Sequence, residues 1–144
     1  MQDLYFAYGS NMSSPRLAAR LGKVQPIGRA ALPHFVLAWN KPGHDGTGKA
    51  NIRPRVGAEA WGVVYALRPE DWRTLDRFEP GYARETHRVH DDTGCEHRVQ
   101  LYRWRQNTHD RGPSPDYLAL ILAGAREHQL PAAVIQDLAH TRLF

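Results

Sequence analysis

The run Leu4-Tyr5-Phe6-Ala7-Tyr8 is short, unbroken and rich in aromatics, and Gly9 stops it. That pattern is a buried strand, and a buried strand needs a core built around it. At 144 residues the chain is long enough to supply one core, which makes residues 1–144 a single domain. The turn Gly9-Ser10-Asn11-Met12 follows, then Ser14 as helix N-cap, Pro15 as first helical residue and Gly22 as stop. Strands are predicted over His34–Trp39, Trp61–Leu67, Glu85–Val89 and Arg98–Trp104 from their β-branched and aromatic content. Further helices are predicted over Pro69–Glu79, from Ser114 to about His128, and onward from Leu130-Pro131 with Val134, Ile135 and Leu138 at helical spacing. Strands fill the middle and two helices close the chain. That order implies an α+β fold, a mixed, curved or barrel-like sheet with helices around it.

Composition narrows the function classes. With 42% hydrophobic and 24% charged residues the chain is no disordered tail. The longest apolar run, Tyr117 to Ala125, is nine residues, far short of the ~20 that span a bilayer. Met1-Gln2-Asp3 has no export signal, and a lone cysteine, Cys95, excludes an internal disulfide, so a cytoplasmic setting without membrane partners is expected. The net charge is +4, but the 16 Arg and 3 Lys are scattered among 15 acids with no basic tail. Arg98, Arg103, Trp104 and Arg105 interleave charge with an aromatic, as single-strand binders do, yet solvated arginines at a strand end explain them as well; no specific nucleic-acid partner is expected.

Two tempting motifs fail on context. Gly43-His44-Asp45-Gly46-Thr47-Gly48-Lys49 matches seven positions of a phosphate loop, but Ala50 replaces the hydroxyl residue and Pro54 forbids the helix that should follow. It reads as a mobile hairpin tip. His87 and His90 point to opposite faces of a predicted strand, and Cys95-Glu96-His97 is strand-like too, so no metal site is expected.

Glu79 is the more informative residue. Advancing about 100° per residue from Trp72, Leu75 falls near 300° and Glu79 near 340°, on the stripe that faces the core. At a helix C-terminus, and partly buried, its ionised form is disfavoured on both counts. Both effects move it toward the range useful to a general base and acid. A structural carboxylate held by Arg77, Arg84 or Arg88 is the competing explanation. Asp76, near 40°, borders the same face and reads better as a brace. The Gly9-Ser10-Asn11 turn offers backbone N–H groups at a helix start, suited to a carboxylate or oxyanion. An ordinary Gly-Ser-Asn turn remains the plain alternative.

The segment Tyr5-Phe6-Ala7-Tyr8-Gly9-Ser10-Asn11-Met12 resembles the N-terminal signature of the gamma-glutamylcyclotransferases. The resemblance continues through Glu59-Ala60-Trp61-Gly62-Val63-Val64-Tyr65 and Leu75-Asp76-Arg77-Phe78-Glu79. Pro113-Ser114-Pro115-Asp116-Tyr117 and Gly124-Ala125-Arg126-Glu127 complete the series, in the family's order. It implies a small barrel-like α/β domain that cyclises a γ-glutamyl group to 5-oxoproline and releases an amino acid or amine. It implies Glu79 as the catalytic carboxylate, Tyr8, Gly9, Ser10 and Asn11 as the substrate loop, and Tyr117 at the pocket rim. The implied partner is a small γ-glutamyl compound, with no cofactor and no metal, because one carboxylate can both take and return the proton. Alternatives within the resemblance are removal of a γ-glutamyl protecting group from a specialised amine, and a non-catalytic γ-glutamyl-binding domain. Asn11 departs from the glutathione-degrading branch. Pro80, where many members place glycine directly after the catalytic glutamate, implies a reshaped loop beside Glu79. Arg98, Arg103 and Arg105 are candidates to recognise a carboxylate on the leaving group.

Overall fold

The computed structural model describes residues 3–144. Met1 and Gln2, which figure in the reading of the chain's start, lie outside the described residues. The buried strand is β1 (Asp3–Ala7), followed by a single 3-10 turn over Ser10–Met12 and by α1 (Ser14–Leu21). Two long strands, β2 (Gln25–Pro42) and β3 (Gly48–Leu67), form a hairpin. Next come α2 (Asp71–Phe78), β4 (Ala83–His90) and β5 (Glu96–Arg103), then α3 (Pro115–Glu127) and α4 (Ala132–Ala139). The strands close into a barrel in the order β1-β3-β2-β4-β5. All pairings are antiparallel except the closing β1–β5 contact at Tyr5 and Gln100. The α+β fold with a mixed barrel-like sheet is therefore as the sequence implied.

Three local corrections have physical causes. The strands at His34–Trp39 and Trp61–Leu67 are only parts of β2 and β3, because the prolines and glycines that look like breaks sit at bulges. Pro33 pairs with Glu59 and Phe35 with Pro54, so Arg55–Ala58 bulge out opposite His34, which adopts φ 66°. The α1 cap is Ser13, whose Oγ accepts from the Arg16 amide at 3.3 Å. The helix α2 stops one residue before Glu79, since a residue preceding proline is pushed out of the helical region; Glu79 has φ −125° and ψ 54°.

The core gathers Phe6, Ile52, Val63, Tyr65, Leu75, Leu101 and Ile121, all fully buried. It also fixes the Ser10–Met12 turn. The Tyr65 hydroxyl donates to the Met12 carbonyl at 2.8 Å, and α3 presses against the turn through Gly124. A Cβ at Gly124 would lie 2.5 Å from the Ser13 nitrogen and 2.6 Å from the Met12 carbonyl carbon, so only glycine lets the two backbones meet. Gly124→Ala is expected to cost about 1–3 kcal/mol, as overpacking does, read as a lower denaturant midpoint at unchanged slope. An unchanged midpoint would mean that α3 does not brace the turn.

Candidate active site

Glu79 leaves the end of α2 and turns into a cavity of about 220 Å³. That is below the roughly 300–1,000 Å³ of pockets for drug-sized ligands, and so suits a smaller molecule. Tyr8, Gly9, Ser10, Asn11 and Tyr117 line the same cavity, so the carboxylate, loop and rim residues implied by the resemblance meet there. Tyr5, Arg16, Arg20, Lys41, Lys49 and Tyr82 line it too.

Glu79 is held by the turn rather than by its neighbours in sequence. Its Oε1 accepts from Asn11 Nδ2 at 3.0 Å and lies 3.7 Å from the Arg20 guanidinium. The side chain is only 16% exposed. Arg77, Arg84 and Arg88 do not pair with it: Arg84 pairs with Asp76 at 3.2 Å and Arg88 with Glu96. Asp76 is indeed a brace, accepting also from the Tyr102 hydroxyl at 2.6 Å. Burial drives the Glu79 carboxyl up to about 7, against the pull of Arg20, the Asn11 amide, Arg16 and Lys41, which favour the ionised form. Its proton is therefore in balance near neutrality.

The turn engages only some of its backbone amides. The amides of Met12 and Ser13 close onto the Gly9 and Ser10 carbonyls, while those of Gly9, Ser10 and Asn11 find no acceptor among the described residues. Asn11 is fully engaged by its side chain, donating to the Tyr5 hydroxyl and to Glu79 and accepting from Arg20 at 3.1 Å. Ser10 Oγ accepts from Arg16 Nε at 3.0 Å. Gly9 is needed for space: a Cβ there would lie 3.1 Å from the Ala50 Cβ and 3.6 Å from the Tyr117 hydroxyl. Tyr8 donates to the Tyr102 carbonyl, which leaves its ring as wall. Tyr117 accepts from the Ala50 amide at 3.0 Å and Tyr82 donates to the Ala50 carbonyl at 2.7 Å. Burial pushes the Tyr117 hydroxyl up to about 12, so it stays protonated and keeps a hydrogen to donate.

Two regions differ from the sequence reading. The Gly43–Lys49 tip is tied down rather than loose: the Gly48 amide donates to the Gly112 carbonyl at 2.7 Å, and His44 and Lys49 reach the cavity. Arg103 and Arg105 are engaged by Glu85 at 3.1 Å and 2.7 Å and do not line the cavity. Arg16 and Arg20 also reach the cavity, and their i,i+4 spacing just after Gly9-Ser10-Asn11, which places them on one face of α1, is the signal that marks them in the sequence. Lys41 had no local signal; Tyr5 lies in the buried strand and the family-like segment, and barrel closure brings it and Tyr82 to the cavity.

Residues 59–138 match the family model described as AIG2-like family. A human protein named gamma-glutamylcyclotransferase is 32% identical over 137 residues, covering 89% of this chain and 72% of that protein. Its bovine namesake is 31% identical with the same coverage. A solved gamma-glutamyl cyclotransferase structure superposes with a TM-score of 0.94 at 27% identity, over all of this chain and 90% of its own. No helix of the described residues is long and apolar enough to cross a membrane.

Glu79 carries a stability signature. Its carboxyl rises from an ordinary 4.5 to about 7 on folding, so the folded state binds the extra proton between those values. The stability associated with neutral Glu79 is fully present below pH 4.5 and is lost as pH rises through about 7, on the order of 3 kcal/mol at about 1.4 kcal/mol per unit. Glu79→Gln stays neutral, so it is expected to unfold at higher urea than the parent at pH 8 and at nearly equal urea at pH 4. Equal differences at both pH values would place Glu79 in solvent-like surroundings.

Proposed function

Because the chain belongs to the AIG2-like family and is related to gamma-glutamylcyclotransferases, we propose that it cyclises a γ-glutamyl group to 5-oxoproline and releases the attached amine. The observation that supports this reading is a buried carboxyl poised near neutral pH and held by a turn whose Gly9, Ser10 and Asn11 amides have no acceptor among the described residues. The substrate brings its own nucleophile, an α-amine that reaches the γ-carbonyl through a five-membered ring. Orientation of this kind gains on the order of 7–11 kcal/mol.

Glu79 takes a proton from the α-ammonium, and the freed nitrogen forms a bond to the γ-carbonyl carbon. The carbonyl π electrons move to oxygen, where turn amides stabilise the charge, a contribution of about 3–4 kcal/mol. As the carbonyl re-forms, the bond to the leaving nitrogen breaks and Glu79 returns its proton there; Glu79 then carries the second hydrogen of the ring nitrogen to the released amine, which leaves as an ammonium beside a neutral lactam. The carboxylate ends as it began, so one residue serves both transfers. Arg16, Arg20 and the Gly9–Asn11 turn supply donors for the α-carboxylate. Tyr8 and Tyr117 wall the pocket.

Removal of a γ-glutamyl protecting group from an amine uses the same steps with another leaving group, whereas a binding-only domain would release no product. Glu79→Gln is expected to bind a γ-glutamyl amino acid yet release 5-oxoproline at well under a tenth of the parent rate. A variant above a tenth would remove Glu79 from the mechanism. The parent kcat/KM is expected to rise with pH through about 7. Asn11→Ala removes a hydrogen bond that favours ionised Glu79, so its acid limb is expected to move to higher pH, with a raised KM. An unmoved limb would break the coupling of Asn11 to Glu79.

A further inference from the structure

Lys41 and Lys49 are direct partners across the β2–β3 hairpin, so both side chains stand on the same face of the ribbon. Like charges directly opposite each other destabilise a sheet. Neither lysine has a carboxylate partner among the described residues. Both line the Glu79 cavity.

The surroundings hold the two ammonium groups in place instead of letting them swing away. Lys49 Nζ lies 4.3 Å from the Tyr117 ring centre, and Lys41 Nζ lies 5.5 Å from that of Tyr82 and 5.4 Å from that of Trp104. The neighbouring asparagines anchor the strands. Buried Asn51 donates to Asn40 Oδ1 and to the Trp104 carbonyl, each at 2.9 Å, and accepts from the Trp104 amide at 2.9 Å. Two glycines leave room: a Cβ at Gly43 would lie 2.9 Å from Lys49 Cε, and one at Gly81 would lie 3.3 Å from Lys41 Cε and 3.1 Å from the Trp104 ring. Gly81 also has φ 84°, so the Pro80-Gly81 turn after Glu79 serves as the floor under Lys41.

The cations of the cavity thus fall into two sets. Arg16 and Arg20 belong to α1 and bond the Ser10 and Asn11 side chains, where the γ-glutamyl end is proposed to sit. Lys41 and Lys49 belong to the hairpin. Burial and the charge of Lys49 both weaken the hold of Lys41 on its proton, while Glu79 strengthens it. Lys41 Nζ donates to the Pro42 carbonyl at 3.3 Å, and an anion reached by both lysines would offset the repulsion between them.

We propose that Lys41 and Lys49 form an anion subsite that binds the carboxylate of the leaving group, so that the protein selects γ-glutamyl amino acids over γ-glutamylamines of neutral or cationic side chain. The subsite rests on the γ-glutamyl reading above and assigns a task to the hairpin that the sequence had given to Arg98, Arg103 and Arg105.

The test compares γ-glutamylalanine with γ-glutamylalaninamide, which differ by one charge. 5-Oxoproline release by the parent is expected to favour the carboxylate compound at least tenfold in kcat/KM, less so as salt is added. Lys41→Met and Lys49→Met are expected to cut that preference at least threefold, mainly through KM, with Lys41→Arg restoring it. Thermal melts confirm that the variants are folded, and relief of the like-charge pair is expected to leave the Met variants no less stable. A parent without preference, or variants that lose both compounds in equal proportion, would overturn the subsite. Calorimetric binding of the two compounds to Glu79→Gln separates the two proposals. Carboxylate preference that depends on the lysines, without product from the parent, keeps the subsite and rejects the reaction.

Discussion

The contact between Asn11 and Glu79 joins the two halves of this molecule's chemistry. A carboxyl that loses most of its water has a proton affinity far above normal, and an unpaired buried carboxylate would be costly. Asn11 and Arg20 return part of that cost through one hydrogen bond at 3.0 Å and one charge at 3.7 Å. The same Asn11 is fixed by Tyr5 from β1. Moving the turn by an ångström would thus move both its backbone amides and the acidity of Glu79. Much of the architecture serves to prevent that: Tyr65 ties the Met12 carbonyl, Gly124 admits α3, and the buried strand carries the turn into the core.

Local sequence disclosed the parts of the site that lie on contiguous, strongly patterned segments. Tyr8 to Asn11 follow a buried strand and precede a capped helix. Glu79 falls on the extrapolated apolar face of a helix whose Trp72 and Leu75 are buried. The extrapolation placed Glu79 correctly although the helix stops at Phe78, because one residue past a helix end still projects near the last turn's face. Its partner was misjudged for a different reason. Arginines close in sequence are engaged elsewhere, Arg84 by Asp76 and Arg88 by Glu96, and Arg20 comes from a helix some sixty residues away.

What stayed hidden depends on register and closure. Nothing in the pattern of Gly43 to Ala50 says that Lys41 will face Lys49, since the hairpin's pairing shifts between Ala38 and Lys41. The punctuation that marked this stretch as a loose tip does form a turn, but Gly112 and the Asn40–Asn51 pair dock it over the cavity. Tyr82 arrives because β4 begins where Glu79 and Gly81 end the α2 turn. These are long-range consequences of a closed barrel, and a period-two or period-three-and-a-half count does not carry them.

The electrostatics of the cavity also bear on timing. Four cations surround one carboxyl, and three of them, Arg20, Arg16 and Lys41, hold its proton affinity below what burial alone would set. A substrate with a carboxylate at each end places negative charge against both sets of cations and displaces water as it enters. Each of those changes removes part of the field that favours ionised Glu79. In the proposed reaction these changes would raise the proton affinity of Glu79, while the positive charge of the α-ammonium beside it would lower it. In the empty pocket the same cations oppose burial and hold the carboxyl near 7, so a substantial share of Glu79 is ionised at neutral pH.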